Sequence, residues 1–191
     1  MTLWSLRLHI YLLRRYKLKS RDWRYEKLKA DWGEKHRLHA FFKIFILQGI
    51  LAFIIALPLI NFTHQQNTYG TIIGLSIFAF GFIMESYADY RISLIVKQKK
   101  AGALSKDYFI SHGLWSYSRH PNYLGEILVW IGIFIYTIHP STWLLNVLSP
   151  LLITFLLHTF SGVPFQTKRF SSKPGYNEYV ENTGAIFPFK F

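Results

Sequence analysis

One short segment, residues 114–126, concentrates polar side chains capable of chemistry at the start of an apolar stretch. Its members of this kind are Arg119, His120, Asn122, Tyr123 and Glu126. Pro121 fixes φ and lacks an N–H, which suits the first turn of a helix, with Ser118 or His120 as a cap. On such a helix Asn122 and Glu126 share one face, and the N-terminus attracts anions. The segment therefore predicts a cofactor site at the rim of a membrane.

The helices that must position this cluster are indicated by two long stretches without charge. No Asp, Glu, Lys or Arg occurs from Ile44 to Met84 or from Ile127 to Thr167, and each stretch is 41 residues long. That length suffices for two crossings of about 20 residues each. Charged residues make up 17% of the chain, below the roughly 25% of soluble domains. We predict an all-α, polytopic membrane protein with amphipathic interfacial helices and about four transmembrane helices, near residues 40–60, 69–90, 124–139 and 142–161.

The net charge of +12 is distributed as a topology signal. All 22 Lys and Arg fall within residues 1–43, 85–126 and 168–191, whereas the predicted connections at 61–69 and 139–141 carry none. With an even number of crossings, every basic segment lies on one side, and the positive-inside rule makes that side cytoplasmic. We therefore predict an integral, multi-pass membrane protein with both termini cytoplasmic, with anionic lipids as partners and no nucleic-acid partner.

The same charge pattern divides the chain into two parts. Residues 1–38 are predicted to form a basic amphipathic interfacial segment. Residues 39–191 are predicted to form a helical membrane domain that carries the cluster and a cytoplasmic C-terminal tail. The chain has no cysteine, which excludes thiolate catalysis and cysteine metal sites, and its histidine spacings match no metal motif. We predict no metal site.

The cationic side chains near the cluster suit two different cofactors. In one hypothesis Arg119, Lys168 and Arg169 bind the phosphates of a nicotinamide dinucleotide. A nearby tyrosine or acid would then protonate the substrate after hydride transfer. In the other hypothesis Arg119 and Glu126 hold the amino-acid end of S-adenosylmethionine. The residue types alone leave both hypotheses open.

The cluster also resembles a signature of known membrane enzymes. The run Gly113-Leu-Trp-Ser-Tyr-Ser-Arg-His-Pro-Asn-Tyr-Leu-Gly-Glu126 is similar to that of the steroid 5-alpha-reductase C-terminal superfamily, above all to its uncharacterised branch. Sterol C14 reductases end similarly, and isoprenylcysteine carboxyl methyltransferases share a shorter core. The resemblance covers about residues 20–191, with further matches at residues 21–25, 85–89, 161–164, 175–179 and 186–188.

This resemblance implies an NADPH-dependent reductase of a lipid-like or steroid-like enone or double bond, which takes a lipophilic substrate from the bilayer. The cofactor contacts that it implies are Asp89, Trp115, Arg119, His120, Asn122, Tyr123, Glu126, Lys168, Arg169 and Tyr176. The candidates for proton donation in catalysis are Tyr123, Glu126 and Tyr176.

Two departures from the family pattern keep alternatives open. Gln166 stands where relatives often carry glutamate. Relatives are also commonly longer, with extra membrane helices ahead of this segment, so the chain is expected to be a truncated or minimal member. The alternatives are an S-adenosylmethionine-dependent membrane methyltransferase of a lipid or prenylated acceptor, and a non-catalytic protein that binds anionic lipid head groups. The sequence predicts no oligomeric state.

Overall fold

The computed structural model describes residues 2–17, 30–62, 68–160 and 162–188. Over these residues the chain contains helices and connecting segments and no strand. The helices are α1 (Thr2–Lys17), α2 (Ala30–Ile60), α3 (Thr68–Lys100), α4 (Pro121–Tyr136), α5 (Trp143–Phe170) and α6 (Tyr176–Asn182). The predicted all-α class is confirmed.

Three of these helices, α2, α3 and α5, are long and apolar enough to cross a membrane. α4 is apolar but has only 16 residues, which gives about 24 Å at 1.5 Å per residue, less than the hydrocarbon core of about 30 Å. These four helices correspond to the four predicted crossings. Their length and composition make the chain a membrane protein.

The candidate spans α2 and α5 are irregular helices. α2 includes a 3₁₀ turn at Gly33–Lys35 and a π-helical section at Phe41–Ile46. In α5 the regular section Leu148–Phe155 continues as a π-helical section, Leu156–Phe160, and a further regular section spans Val163–Phe170.

The chain divides into two compact units, Met1–Ile54 and Ile55–Phe191, with the boundary inside α2. In the first unit the Trp32 ring lies 5.7 Å from the His39 ring, and Lys43 Nζ lies 5.9 Å from the Trp32 ring. α1 lies within residues 1–38, the predicted interfacial segment, of which residue 1 and residues 18–29 lie outside the described residues. The predicted domain division after residue 38 rests on the charge pattern and stays a prediction.

In the second unit, α3 and α4 pack antiparallel along a line of four glycines. A methyl group added at Gly132 would come within 2.5 Å of the Phe78 nitrogen and 2.7 Å of the Gly74 carbonyl oxygen. One added at Gly81 would come within 2.7 Å of the Gly125 carbonyl oxygen. Such close backbone approach lets van der Waals packing hold two helices together in a bilayer. The close packing along these four glycines therefore sets the position of α4, including its first turn, relative to α3.

The end of the second unit away from the predicted cluster is held by buried polar groups. Asn146 is fully buried, and its amide oxygen accepts a hydrogen bond of 3.0 Å from Asn61 Nδ2. The hydroxyl of the fully buried Ser149 donates to the Ile55 carbonyl at 2.7 Å. Because buried polar groups are costly unless they are hydrogen-bonded, these two contacts stabilise this end of the unit.

Candidate functional site

The candidate site is built around the N-terminus of α4, which begins at Pro121 as predicted. His120 occupies the N-cap position, with φ −134° and ψ 64°. Its side chain does not cap the helix; instead its own N–H donates to Ser118 Oγ at 3.2 Å. Ser118 is almost fully buried. Ser118 therefore orders the turn that presents Arg119 and His120. The sequence predicted Ser118 or His120 as the helix cap, and this hydrogen bond within the turn takes the place of a cap.

Arg119 and His120 carry the most informative polar atoms of this site. Arg119 Nε and Nη1 and His120 Nε2 are buried and have no hydrogen-bond partner among the residues that the structure describes. Leaving a buried donor unpaired costs about 1–3 kcal/mol, and more for a charged group. The site thus offers a guanidinium edge and an imidazole nitrogen to a partner that is not part of the described chain.

His120 is held in its neutral form. Burial, followed by the charge of Arg119, lowers the pKa of His120 to about 4. Its ring stacks on the Tyr123 ring with centroids 5.0 Å apart and an interplanar angle of 23°. Near pH 7 His120 Nε2 is therefore a neutral donor or acceptor, according to its tautomer, and the positive charge of the turn belongs to Arg119.

The C-terminal tail contacts the cluster. The Arg119 N–H donates to the Gly184 carbonyl at 3.0 Å, and the Tyr179 hydroxyl donates to the Trp115 carbonyl at 2.6 Å. A methyl group at Gly162 would come within 2.9 Å of Tyr123 Cε2, so this glycine lets the end of α5 approach the Tyr123 ring. The tail and α5 therefore enclose the turn from two sides.

Aromatic rings surround Tyr176 of the tail. Tyr176 is 3% exposed, and its ring lies 5.4 Å from Phe109, 5.7 Å from Phe170 and 6.1 Å from Tyr179. Burial, and secondly Tyr176, raises the pKa of Tyr179 well above its usual range, although Arg119 opposes this effect. The Tyr179 phenol therefore stays protonated and remains a donor to Trp115.

The acidic side chains of α3 lie level with the start of α4. A methyl group at Gly125 would come within 2.7 Å of the Glu85 nitrogen. The same antiparallel register, continued by one turn, places Asp89 level with Pro121. Glu85 and Asp89 are buried, at 4% and 8% exposure. The predicted cofactor residue Asp89 is thus brought to the same end of the unit as the cluster.

The predicted residues other than Asp89 divide into three groups. Trp115, Arg119, His120, Tyr123 and Tyr176 are brought together by the contacts above. Asn122 and Glu126 lie in the first two turns of α4 and are half-buried. Lys168 and Arg169 are exposed at the end of α5, and Lys168 makes no side-chain hydrogen bond or ion pair with the described residues.

Some contributing residues were absent from the predicted set. Tyr179, Ser118 and Gly184 bind the turn through the hydrogen bonds described above. Tyr179 was not among the predicted site residues, and its spacing of three from the predicted Tyr176 was the available signal. Within the described ranges, no group of three or more His, Asp and Glu side chains is placed to hold a metal ion.

The fold and the site define an all-helical membrane protein with an unpaired arginine–histidine site where a short apolar helix begins. The chain belongs to the family described as "Protein of unknown function (DUF1295)", whose pattern matches residues 1–183. This family is part of the steroid 5-alpha-reductase-like superfamily.

A curated relative of the chain is an uncharacterised protein of Schizosaccharomyces pombe, 28% identical over 210 residues. The match covers 98% of this chain and 61% of the relative, so the chain spans less than two thirds of that protein's length. No solved structure gives a significant match.

Proposed function

We propose that this protein is a membrane-embedded, NADPH-dependent reductase that acts on a double bond or enone of a lipid-like or steroid-like substrate from the bilayer. The observation that carries the proposal is the set of unpaired buried atoms, Arg119 Nε and Nη1 with His120 Nε2. We further propose a multi-pass topology in which both termini and this site face the cytoplasm, where soluble nucleotides are available.

The residues present fit a phosphorylated nucleotide. Arginine offers a planar fork that matches phosphate oxygens, and the backbone that carries Arg119 is held by the hydrogen bond from its main-chain N–H to the Gly184 carbonyl. The neutral imidazole of His120 adds a hydrogen bond without adding charge. When bound, the nicotinamide supplies a hydride.

The reduction also needs a proton, and we assign it to Tyr123 Oη. The Tyr123 ring lies against His120 and next to Gly162, so it is beside the unpaired atoms of the site. Tyr179 already donates its proton to the Trp115 carbonyl. Tyr176 is enclosed by aromatic rings, which favours a packing role for it over proton donation.

Equilibrium binding of NADPH to the purified full-length chain in detergent tests the proposal. Arg119→Gln should weaken NADPH binding by about 10- to 100-fold, the range for a hydrogen bond to a charged group. Arg37→Gln removes the same charge from an exposed position in the other compact unit and should leave the affinity unchanged. Thermal unfolding of both variants separates lost binding from lost folding.

The same assay distinguishes the alternatives. Absence of NADPH affinity in the wild type, or equal affinity of the wild type and Arg119→Gln, would sink the reductase proposal. Stabilisation by S-adenosylhomocysteine but not by NADPH would favour the methyltransferase. Stabilisation by neither ligand, but by anionic lipid, would favour the non-catalytic lipid-binding protein.

A further inference from the structure

A second cationic site lies where α3 and α5 end. Lys99 is in the last turn of α3, and Lys173 follows α5. Both ammonium groups donate to the same two carbonyls of the intervening loop. Lys99 Nζ bonds the Lys106 oxygen at 3.0 Å and also the Tyr108 oxygen, and Lys173 Nζ bonds them at 2.6 Å and 3.4 Å. The two charges therefore lie within two hydrogen-bond lengths of each other.

A third cation, Arg169, belongs to the same site. It is close enough for its charge to act on Lys99. The guanidinium of Arg169 lies 5.7 Å from the centre of the Phe170 ring, and Lys173 Nζ lies 5.0 Å from it. Cation–π contact with the half-buried Phe170 ring restrains both cations. The three positive groups are thus fixed near one another by a ring and by two carbonyls.

Within the described part of the chain, no carboxylate forms an ion pair with these three cations. Asp107 is near enough to affect Lys99, but it is exposed and forms no ion pair with Lys99, Lys173 or Arg169. One lysine would be enough to bond two loop carbonyls. A second ammonium on the same oxygens, within hydrogen-bond distance of the first, adds repulsion, and an anion beside the cations would offset that repulsion.

We propose that Lys99, Lys173 and Arg169 form a binding site for a phosphate group at the membrane surface. Arg169 makes no hydrogen bond through its side chain to the described residues, so its guanidinium donors are available to an anion beside the two lysines. Bridging three such cations calls for an anion with more than two oxygens, which favours phosphate over carboxylate.

Two sources can supply this phosphate. Lys99 lies near the end of a helix that is long enough to span the bilayer, and cations beyond the end of such a helix can meet lipid phosphates. A phosphate of a soluble nucleotide reaches the same surface. Arg169 and Lys173 lie against the Phe170 ring, whereas the turn of Arg119 is bonded to Gly184, and the proposal does not rest on the reductase function.

The test uses the full-length chain in nanodiscs. One arm measures retention of phosphatidic acid against phosphatidylcholine by native mass spectrometry. The other arm measures NADPH and NADH binding in pure phosphatidylcholine nanodiscs. Lys99→Gln and Lys173→Gln should each weaken the phosphate-bearing ligand by about 10- to 100-fold. Lys97→Gln, which removes an exposed lysine from the same last turn of α3, should change neither arm by more than about twofold.

The outcomes separate the sources and the two proposals. Loss of binding confined to phosphatidic acid identifies a lipid head group. Loss of binding confined to NADPH, with NADH unaffected, identifies the 2′-phosphate by which the two nucleotides differ. If the wild type binds no nucleotide but Lys99→Gln still loses phosphatidic acid, the phosphate site stands and the reductase fails. Unchanged binding in both lysine variants, or an equal loss in Lys97→Gln, overturns the phosphate site. If either glutamine variant fails to fold, Lys99→Arg is measured in its place. This variant keeps the charge and should retain binding.

Discussion

Replacing Gly132 by alanine tests the packing that places the site. The added methyl group would come within 2.5 Å of the Phe78 nitrogen, 2.7 Å of the Gly74 carbonyl oxygen and 2.8 Å of the Phe78 Cα. All three atoms are backbone, so no side chain can rotate away, and α3 and α4 must separate by about 1 Å to reach ordinary contact distances. We expect a destabilisation at the upper end of the overpacking range, about 3 kcal/mol.

Helix propensity reduces this cost without cancelling it. Alanine is favoured over glycine within a helix by about 1 kcal/mol, so the net loss expected for Gly132→Ala is about 2 kcal/mol. The matched control is Gly49→Ala in α2, where the added methyl group meets nothing within 4 Å. That substitution should stabilise the protein by up to about 1 kcal/mol. The same chemical change is therefore predicted to act with opposite signs at the two positions.

Unfolding of the purified variants in mixed detergent and denaturant measures this difference. The expected result is a lower midpoint for Gly132→Ala and an equal or higher one for Gly49→Ala, relative to the wild type. Because the glycine line positions the start of α4, Gly132→Ala should also weaken ligand binding at Arg119. Equal midpoints for the two alanine variants would refute the close packing of α3 and α4.

Three further predictions follow from individual contacts. The pKa of His120 is about 4 in the folded protein, below the unfolded value of about 6.5. The stability that the neutral His120 contributes is therefore complete above pH 6.5 and falls by up to about 3 kcal/mol as the pH drops towards 4. His120→Gln should flatten this part of the dependence of the unfolding free energy on pH. Tyr179→Phe removes the bond to the Trp115 carbonyl and should cost about 1 kcal/mol of unfolding free energy. Asn146→Ala leaves the Asn61 amide without its acceptor and should cost about 1–3 kcal/mol without changing NADPH affinity, because it lies at the other end of the unit.

Exposed residues of the same type provide the controls for these predictions. His112→Gln should leave the pH dependence of stability unchanged, and Tyr117→Phe, at a side chain 68% exposed, should leave the unfolding midpoint unchanged. A pH profile that is identical for His120→Gln and the wild type would contradict the buried neutral imidazole. Lost NADPH affinity in a folded Asn146→Ala would contradict the separation of the two ends.

The sequence predicted the helices better than their ends. Two uncharged stretches indicated the four apolar helices, and Pro121 marked the start of α4 correctly. α3 was predicted to end near residue 90, yet it continues to Lys100, because the charged residues after Asp89 are good helix formers and no proline or glycine interrupts them. The helix that corresponds to the predicted third crossing at 124–139 has the bounds Pro121–Tyr136.

The site was predictable in part, since its core lies within one short segment. The contacts that complete it join residues far apart in the chain: Tyr179 with Trp115, and Gly184 with Arg119. No local pattern specifies such pairs. The glycine line did leave a signal, because Gly74 and Gly81, like Gly125 and Gly132, are seven residues apart and therefore share a helix face.

The most direct test of the central claim is a structure of the full-length protein determined with NADPH in nanodiscs. The account predicts nucleotide density at the N-terminus of α4, with phosphate oxygens bonded to Arg119 Nε and Nη1 and a ligand atom bonded to His120 Nε2. Density for NADPH elsewhere, with these three atoms still unpaired, would contradict it.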